Sequence, residues 1–265
     1  MPELPEVENA RRFLEQNLLQ QTIVEARGLR PNEQGNVGLL TGQAALAFHR
    51  RGKVLWAEFS GGVGLLTHLG MTGKYLAQLP SAPLPTHTHA VLQINNKAIL
   101  FYDPRRFGCF WVGAWAEVLR RIPVLGPDPL VDGISGEVLQ GAFRGCTRPI
   151  KNALLDQQRL AGVGNIYAAE ALFRSRIHPE ASADALTLAH WSLLAAGILV
   201  SMKRTLDEEE PLRYVQEKGA PNPFLVYGRA GEPCPVCGEP IARIVQAGRS
   251  TFFCSSCQKR PRARR

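Results

Sequence analysis

The sequence predicts a two-domain α+β protein: an N-terminal β-sandwich with a helix at its start, then a helical domain ending in a four-cysteine zinc module. Three observations point there. Short apolar runs recur about every ten residues from about 23 to 113, the texture of sandwich or barrel strands. From about 136 to 206 the pattern changes to Ala/Leu-rich helical segments. Near the end, Cys234/Cys237 and Cys254/Cys257 form two Cys-x-x-Cys pairs separated by sixteen residues.

The elements follow in order. Apolar positions Phe13, Leu14, Leu18 and Leu19 suit a helix over 7–19. Runs at 54–59, 64–67, 90–94, 98–102 and 109–112 are the expected strands, with Asn95-Asn96 forming a tight hairpin between two of them. The stretch Ile122-Pro-Val-Leu-Gly-Pro-Asp-Pro129 disfavours both helix and central strand, so it marks a joint. The expected domains are therefore 1–121, a linker at 122–130, a helical domain at 131–225 and a zinc-finger hairpin at 226–260. Helices are expected over 150–160, 166–176 and 185–202. No internal repeat is evident, and the basic end at 259–265 is read as a solvated tail.

Composition narrows the class. Apolar residues make up 45% of the 265 positions and charged residues 20%, which excludes disorder throughout. The longest apolar stretch, 193–200, is far short of the roughly 20 residues needed to span a bilayer. The start Met-Pro-Glu-Leu-Pro-Glu has neither a basic nor an apolar signal region, so a soluble, cytoplasmic and nucleoid-associated protein is expected. Lysine and arginine number 31 against 23 acidic residues, a net charge of +8, which favours a polyanionic partner. A monomer is expected, since no coiled coil or pairing element is evident.

The cysteines divide into two groups. Cys109 and Cys146 stand alone and are expected to be small buried hydrophobes. Cys234, Cys237, Cys254 and Cys257 have the spacing of a site for one structural zinc ion. Disulfides are the competing reading, but nothing in the sequence suggests export to an oxidising compartment.

The N-terminus carries a chemical possibility. Removal of Met1 would expose Pro2 as a secondary amine, and an α-amino group with a pKa of about 7.7–8.0 is partly neutral at physiological pH. A neutral amine can attack an electrophilic sugar carbon and form a Schiff base. Glu3 is adjacent and Glu6 one helical turn further on. The alternative is that Pro and Glu merely open a helix.

The run Met1-Pro-Glu-Leu-Pro-Glu-Val-Glu8 resembles the start signature of the formamidopyrimidine-DNA glycosylase (Fpg/Nei) family. Six further stretches resemble that family in the same order: Arg50-Arg-Gly-Lys53, His68-Leu-Gly-Met-Thr-Gly73, Asp103-Pro-Arg-Arg-Phe-Gly108, Leu125-Gly-Pro-Asp-Pro-Leu130, Leu155-Asp-Gln with Gly162-Val-Gly-Asn-Ile-Tyr167, and Val226-Tyr-Gly-Arg with the cysteine pairs around Gly248-Arg-Ser-Thr251. Together they span nearly the whole chain.

The resemblance implies a base-excision enzyme acting on double-stranded DNA that contains oxidised bases or abasic sites. Such an enzyme flips the damaged nucleotide out and fills the gap. Met71, Arg105 and Phe107 match the family's inserted triad, with Arg105 facing the orphaned base. Lys53, His68, Asn165, Tyr227 and Arg249 match phosphate-contacting positions, and Lys151 and His87 are further DNA contacts. The glycine-rich turn before Asn165 resembles the family's helix–two-turn–helix, with Asn165 expected as the helix N-cap. Arg249 lies in the segment that the zinc would brace, and four thiolates leave the metal no catalytic position.

The implied reaction begins when the Pro2 nitrogen attacks C1′ and the damaged base leaves. Glu3 protonates the ring oxygen and shuttles the C2′ proton. β- and then δ-elimination follow, with Lys53 and Arg249 assisting the departing phosphates. The intact triad resembles the oxidised-purine branch, so formamidopyrimidines and 8-oxoguanine are the expected lesions. The segment at 203–224 is more acidic and poorer in glycine than that branch's base-covering loop, and Glu208–Glu210 are expected to face solvent. The alternatives are an oxidised-pyrimidine enzyme and a non-catalytic zinc DNA-binding protein, although the latter has no need of Pro2, Glu3 and Lys53 together.

Overall fold

Short apolar runs, some alternating with polar residues and others nearly continuous, give the first unit its sheets. In the computed structural model, which describes residues 2–30, 33–207 and 222–259, the chain divides into Met1–Val124 and Leu125–Arg265. The first unit opens with helix α1 (Leu4–Leu18), followed by strands β1 (Glu25–Gly28), β2 (Ala45–Arg51), β3 (Val54–Phe59), β4 (Val63–His68), β5 (Lys74–Gln78), β6 (Thr88–Gln93), β7 (Ala98–Tyr102) and β8 (Cys109–Ala114), then helix α2 (Trp115–Arg121). Two four-stranded antiparallel sheets result, ordered β1-β6-β7-β5 and β2-β3-β4-β8. In β3 buried positions alternate strictly, which places Leu55, Ala57 and Phe59 inward.

One core joins both sheets and α1. Leu14 and Leu18 from the helix are fully buried in the same cluster as Leu55, Leu65, Phe101 and Phe110. Phe101 lies 5.5 Å from both the Tyr75 and Phe110 rings. Truncating a buried leucine in such a core costs about 2–5 kcal/mol. Asn95-Asn96 occupy the turn between β6 and β7, closed by the Ile94 N–H donating to the Lys97 carbonyl at 2.8 Å.

The first unit departs from the sequence expectation in several places. α1 starts at Leu4 rather than residue 7, because Glu3 and Glu6 cap it and proline occupies its first turn. Leu19 ends outside the helix and is exposed. β1, β2, β5 and α2 are additional to the expected elements: the mixed polar runs of the three strands conceal a register that appears only on pairing with neighbouring strands. Cys109 is exposed at the start of β8 rather than buried, whereas Cys146 is buried.

The second unit contains helices α3 (Gly136–Ala142), α4 (Ile150–Leu154), α5 (Asn165–Arg174) and α6 (Leu188–Asp207), then hairpin strands β9 (Ala242–Gln246) and β10 (Arg249–Phe253). Fully buried Leu139, Leu154, Tyr167, Leu172 and Ile198 form much of its interior, with Phe143 stacked on Trp191 at 5.2 Å. The expected helix over 150–160 ends at Leu154, where Asp156 and Gln157 begin a hydrogen-bonded turn. The helix expected over 185–202 instead starts at Leu188, after a short 3-10 turn at Ala183–Ala185. Residues 208–221 and 260–265, which include Glu208–Glu210 and most of the basic tail, lie outside the described residues.

Candidate active site and DNA-binding residues

The N-terminus is built into α1 through its cap. Glu3 is extended, and its N–H donates to the Glu6 carboxylate at 2.8 Å, while the Glu3 side chain accepts from the Glu6 backbone in a reciprocal capping box. Both carboxylates are almost wholly buried, and Pro2 beside them is buried too. Negative charge at a helix N-terminus is favoured by the exposed N–H dipoles, so the fold fixes Glu3 next to Pro2. Met1 lies outside the described residues.

Lys53 occupies the two-residue turn Gly52-Lys53 between β2 and β3, where Arg51 pairs with Val54. The buried Arg50 guanidinium donates to Glu8 on α1 at 3.0 Å and to the Gly52 carbonyl at 3.1 Å, tying that turn to the helix carrying Pro2. Burial alone would raise the Glu8 carboxyl, but hydrogen bonds from Arg11 and Arg50 outweigh it and hold it below its ordinary value. His68 pairs with Val54 across the sheet. Burial, and then the nearby Lys53 charge, lower its pKa below 6.5. The Gly70 N–H donates to His68 Nδ1 at 3.0 Å, so the neutral ring carries its proton on Nε2.

Two loops bring together the three residues expected to insert. Gly70 has φ +61, and a Cβ there would come within 2.4 Å of the Phe107 backbone, so only glycine permits this approach. Met71 is half-buried, whereas the Phe107 ring is 59% exposed, with the Arg105 guanidinium 5.0 Å from its centre. An aromatic ring exposed to this extent is not a core residue. Asp103, wholly buried, accepts from the Thr72 hydroxyl and from the Gly108 N–H at 2.7 Å. His87 is exposed, with φ +75, and its carbonyl accepts from the Asp103 N–H at 3.0 Å. The sequence places Asp103 and Thr72 within motifs but assigns them no role.

In the second unit, Gln157 braces the glycine-rich turn: its amide donates to the Leu155 and Val163 carbonyls, and its oxygen accepts from the Gly162 N–H at 2.8 Å. The cap of α5 is Gly164, not Asn165 as expected. Asn165 is the first helical residue, and its side-chain amide donates to the Ser250 carbonyl at 2.9 Å, fastening the start of α5 beside Arg249. Lys151, expected as a further DNA contact, has a fully buried side chain. Glu170 is a functional candidate that sequence reasoning missed. It is buried, and its carboxylate accepts from the N–H groups of Leu225, Val226 and Tyr227 at 2.9–3.0 Å, which sets the Tyr227 ring 5.2 Å from Phe252. A lone acid in the otherwise apolar stretch Ile166-Tyr-Ala-Ala-Glu-Ala-Leu-Phe173 was the available signal.

Arg249 is exposed and follows directly after the turn Ala247-Gly248, whose φ values of +47 and +73 suit a tight hairpin. The cysteine pairs lie at the other end of the two strands. All four Sγ atoms lie within 4.8 Å of one another, with Cys234–Cys257 at 3.9 Å and Cys237–Cys254 at 3.5 Å. A tetrahedral zinc with bonds of about 2.3 Å requires sulfur edges of about 3.8 Å, so the set fits zinc and is too wide for disulfides. The four thiolates form one structural zinc site and leave no position for water. The metal therefore braces the base of the hairpin, one strand length from Arg249, rather than the turn itself. Cys234 and Cys254 share an apolar cluster with Ala169 and Phe173 of α5, which anchors the module.

A sandwich beginning at a capped proline, a glycine-rich turn between two helices and a four-thiolate hairpin define the class of zinc-finger DNA glycosylases. Three family models match in chain order: the formamidopyrimidine-DNA glycosylase N-terminal domain over residues 1–110, the H2TH domain of the same enzymes over 125–213, and the zinc finger found in FPG and IleRS over 231–260. The chain belongs to the formamidopyrimidine-DNA glycosylase family. It is 42% identical over 276 residues to a formamidopyrimidine-DNA glycosylase of Thermus thermophilus, covering 97% of this chain and 98% of the relative. A Lactococcus lactis Fpg solved with DNA containing Fapy-dG is 32% identical, with a TM-score of 0.87 over 97% of this chain and 100% of that one. A MutM solved with DNA containing carbocyclic 8-oxo-G is also 32% identical, with a TM-score of 0.87 over 98% of this chain and 100% of that one.

Proposed function

We propose that this protein excises oxidised purines, formamidopyrimidines and 8-oxoguanine, from double-stranded DNA and then cleaves the resulting abasic strand. One observation supports the reading: Pro2 directly precedes the buried Glu3/Glu6 cap of α1, so removal of Met1 would leave an amine next to that capping carboxylate in the chain. The Pro2 nitrogen attacks C1′ as the base departs with the electrons of its glycosidic bond. Glu3 protonates the ring oxygen, the sugar opens and an iminium forms. Loss of the C2′ proton then expels the 3′-phosphate, and a second elimination releases the 5′-phosphate. Lys53 and Arg249 are the cations assigned to the departing phosphates. Met71, Arg105 and Phe107 fill the vacated stack, and His68, Asn165 and Tyr227 hold the backbone.

The same reading assigns residues 122–130 to a linker and 226–260 to the zinc finger, and places a monomeric enzyme on DNA in the cytoplasm. Among the described residues no helix is long and apolar enough to cross a membrane. Borohydride trapping of the protein on abasic duplex DNA tests the mechanism. Pro2→Gly abolishes the adduct under this account, and undiminished trapping contradicts it. Single-turnover rates on formamidopyrimidine, 8-oxoguanine and thymine-glycol duplexes test the lesion class. Faster excision of thymine glycol than of either purine would move the protein to the oxidised-pyrimidine branch.

A further inference from the structure

The residues assigned to insertion lie on loops, and a loop residue can displace a stacked base only if its position is held against that load. In this chain one buried residue, Asp103, connects the loops concerned through its carboxylate and its backbone. The Asp103 carboxylate accepts from the Thr72 hydroxyl, beside Met71, and from the Gly108 N–H, beside Phe107. The same Thr72 oxygen accepts from the Arg105 N–H at 3.2 Å, so a single hydroxyl bridges the Met71 loop and the Arg105–Phe107 loop. The Asp103 carbonyl is within 2.7 Å of His89 Nε2, and the Asp103 N–H donates to the His87 carbonyl. His89 is itself buried, and its carbonyl accepts from the Gln34 side-chain amide at 2.9 Å.

We propose that Thr72 and Asp103 are positioning residues that lock the His87, Met71 and Arg105–Phe107 loops into one rigid insertion unit. Discrimination of the base opposite the lesion then depends on the Thr72 hydroxyl through its bonds to Asp103 and to the Arg105 N–H. The inference rests on the insertion role given above to Met71, Arg105 and Phe107. The physical basis is that a preorganised group loses less conformational entropy when it engages its partner. Without the hydroxyl, the Arg105 N–H and one Asp103 oxygen lose their shared partner, and the guanidinium no longer has a fixed origin.

Thr72→Val preserves shape and removes the hydroxyl, whereas Thr72→Ser retains it. Opposite-base discrimination is read as the ratio of kcat/KM on duplexes pairing the lesion with C and with A. Insertion is read by the fluorescence of 2-aminopurine beside the lesion, and chemistry by β-elimination on single-stranded abasic DNA, which has no opposite base to probe. The expected result for Thr72→Val is a fall of about tenfold in the discrimination ratio, a reduced 2-aminopurine signal and single-strand elimination within twofold of the parent, with Thr72→Ser restoring all three. Unchanged discrimination in Thr72→Val, equal losses on single- and double-stranded DNA, or a Thr72→Ser variant as impaired as valine overturns the proposal. Arg105→Ala separates the two levels. If it leaves discrimination intact, the insertion role itself fails; if it removes discrimination while Thr72→Val does not, only the positioning role fails.

Discussion

His68 shows how neighbouring groups set a side chain's chemical state. Burial and the adjacent Lys53 charge both disfavour its protonated form, and the Gly70 N–H occupies Nδ1. Because the folded pKa lies below the ordinary 6.5, the stability that this arrangement contributes is present above pH 6.5 and is lost as pH falls through the lower folded value. Nitrogen-15 NMR of the imidazole is expected to give a midpoint below 6.5, with Nε2 as the protonated nitrogen in the neutral form. A midpoint at or above 6.5 would contradict the assigned contacts. At this scale the sequence identifies residues better than their environments. Cys109, expected to be buried, is exposed, while Lys151, expected as a further DNA contact, is wholly buried. Residue type and motif do not report what packs around a side chain.

The zinc hairpin is the element whose architecture depends most on one interaction. A small module with little core of its own takes much of its folding free energy from the metal. Removing zinc with a strong chelator is expected to melt β9 and β10 and to displace Arg249, abolishing duplex binding. Measuring strand content by circular dichroism alongside DNA affinity checks this, and an intact hairpin with parental affinity after complete metal removal would refute it. The module is legible in the sequence because Cys-x-x-Cys spacing is a local geometric requirement. Likewise, β3 and β7 are legible as apolar runs bounded by polar breaks. β1, β2 and β5 are not, since their short or mixed sequences become strands only through pairing partners distant in the chain. The cap of α1 and the short α4 escape for a related reason: both boundaries are set by hydrogen bonds rather than by apolar periodicity.

For the whole molecule, the excess of basic residues sets how it meets a polyanion. A chain of net charge +8 is expected to bind duplex DNA with an affinity that falls linearly in log–log form with salt. Arg249→Gln should weaken binding across all sequences and reduce the magnitude of the salt slope by about 1. An unchanged slope in fluorescence-anisotropy titrations would remove Arg249 from the phosphate contacts. The family is legible because its motifs lie in order along nearly the whole chain, while the chemistry assigned to them depends on a single atom. Reduction of the protein on abasic DNA with borohydride, followed by proteolysis and tandem mass spectrometry, tests that assignment most directly. The expected product is a deoxyribose adduct on the nitrogen of Pro2 in a peptide lacking Met1; an adduct mapped to Lys53 or any other lysine, or an active protein retaining Met1, would overturn that assignment.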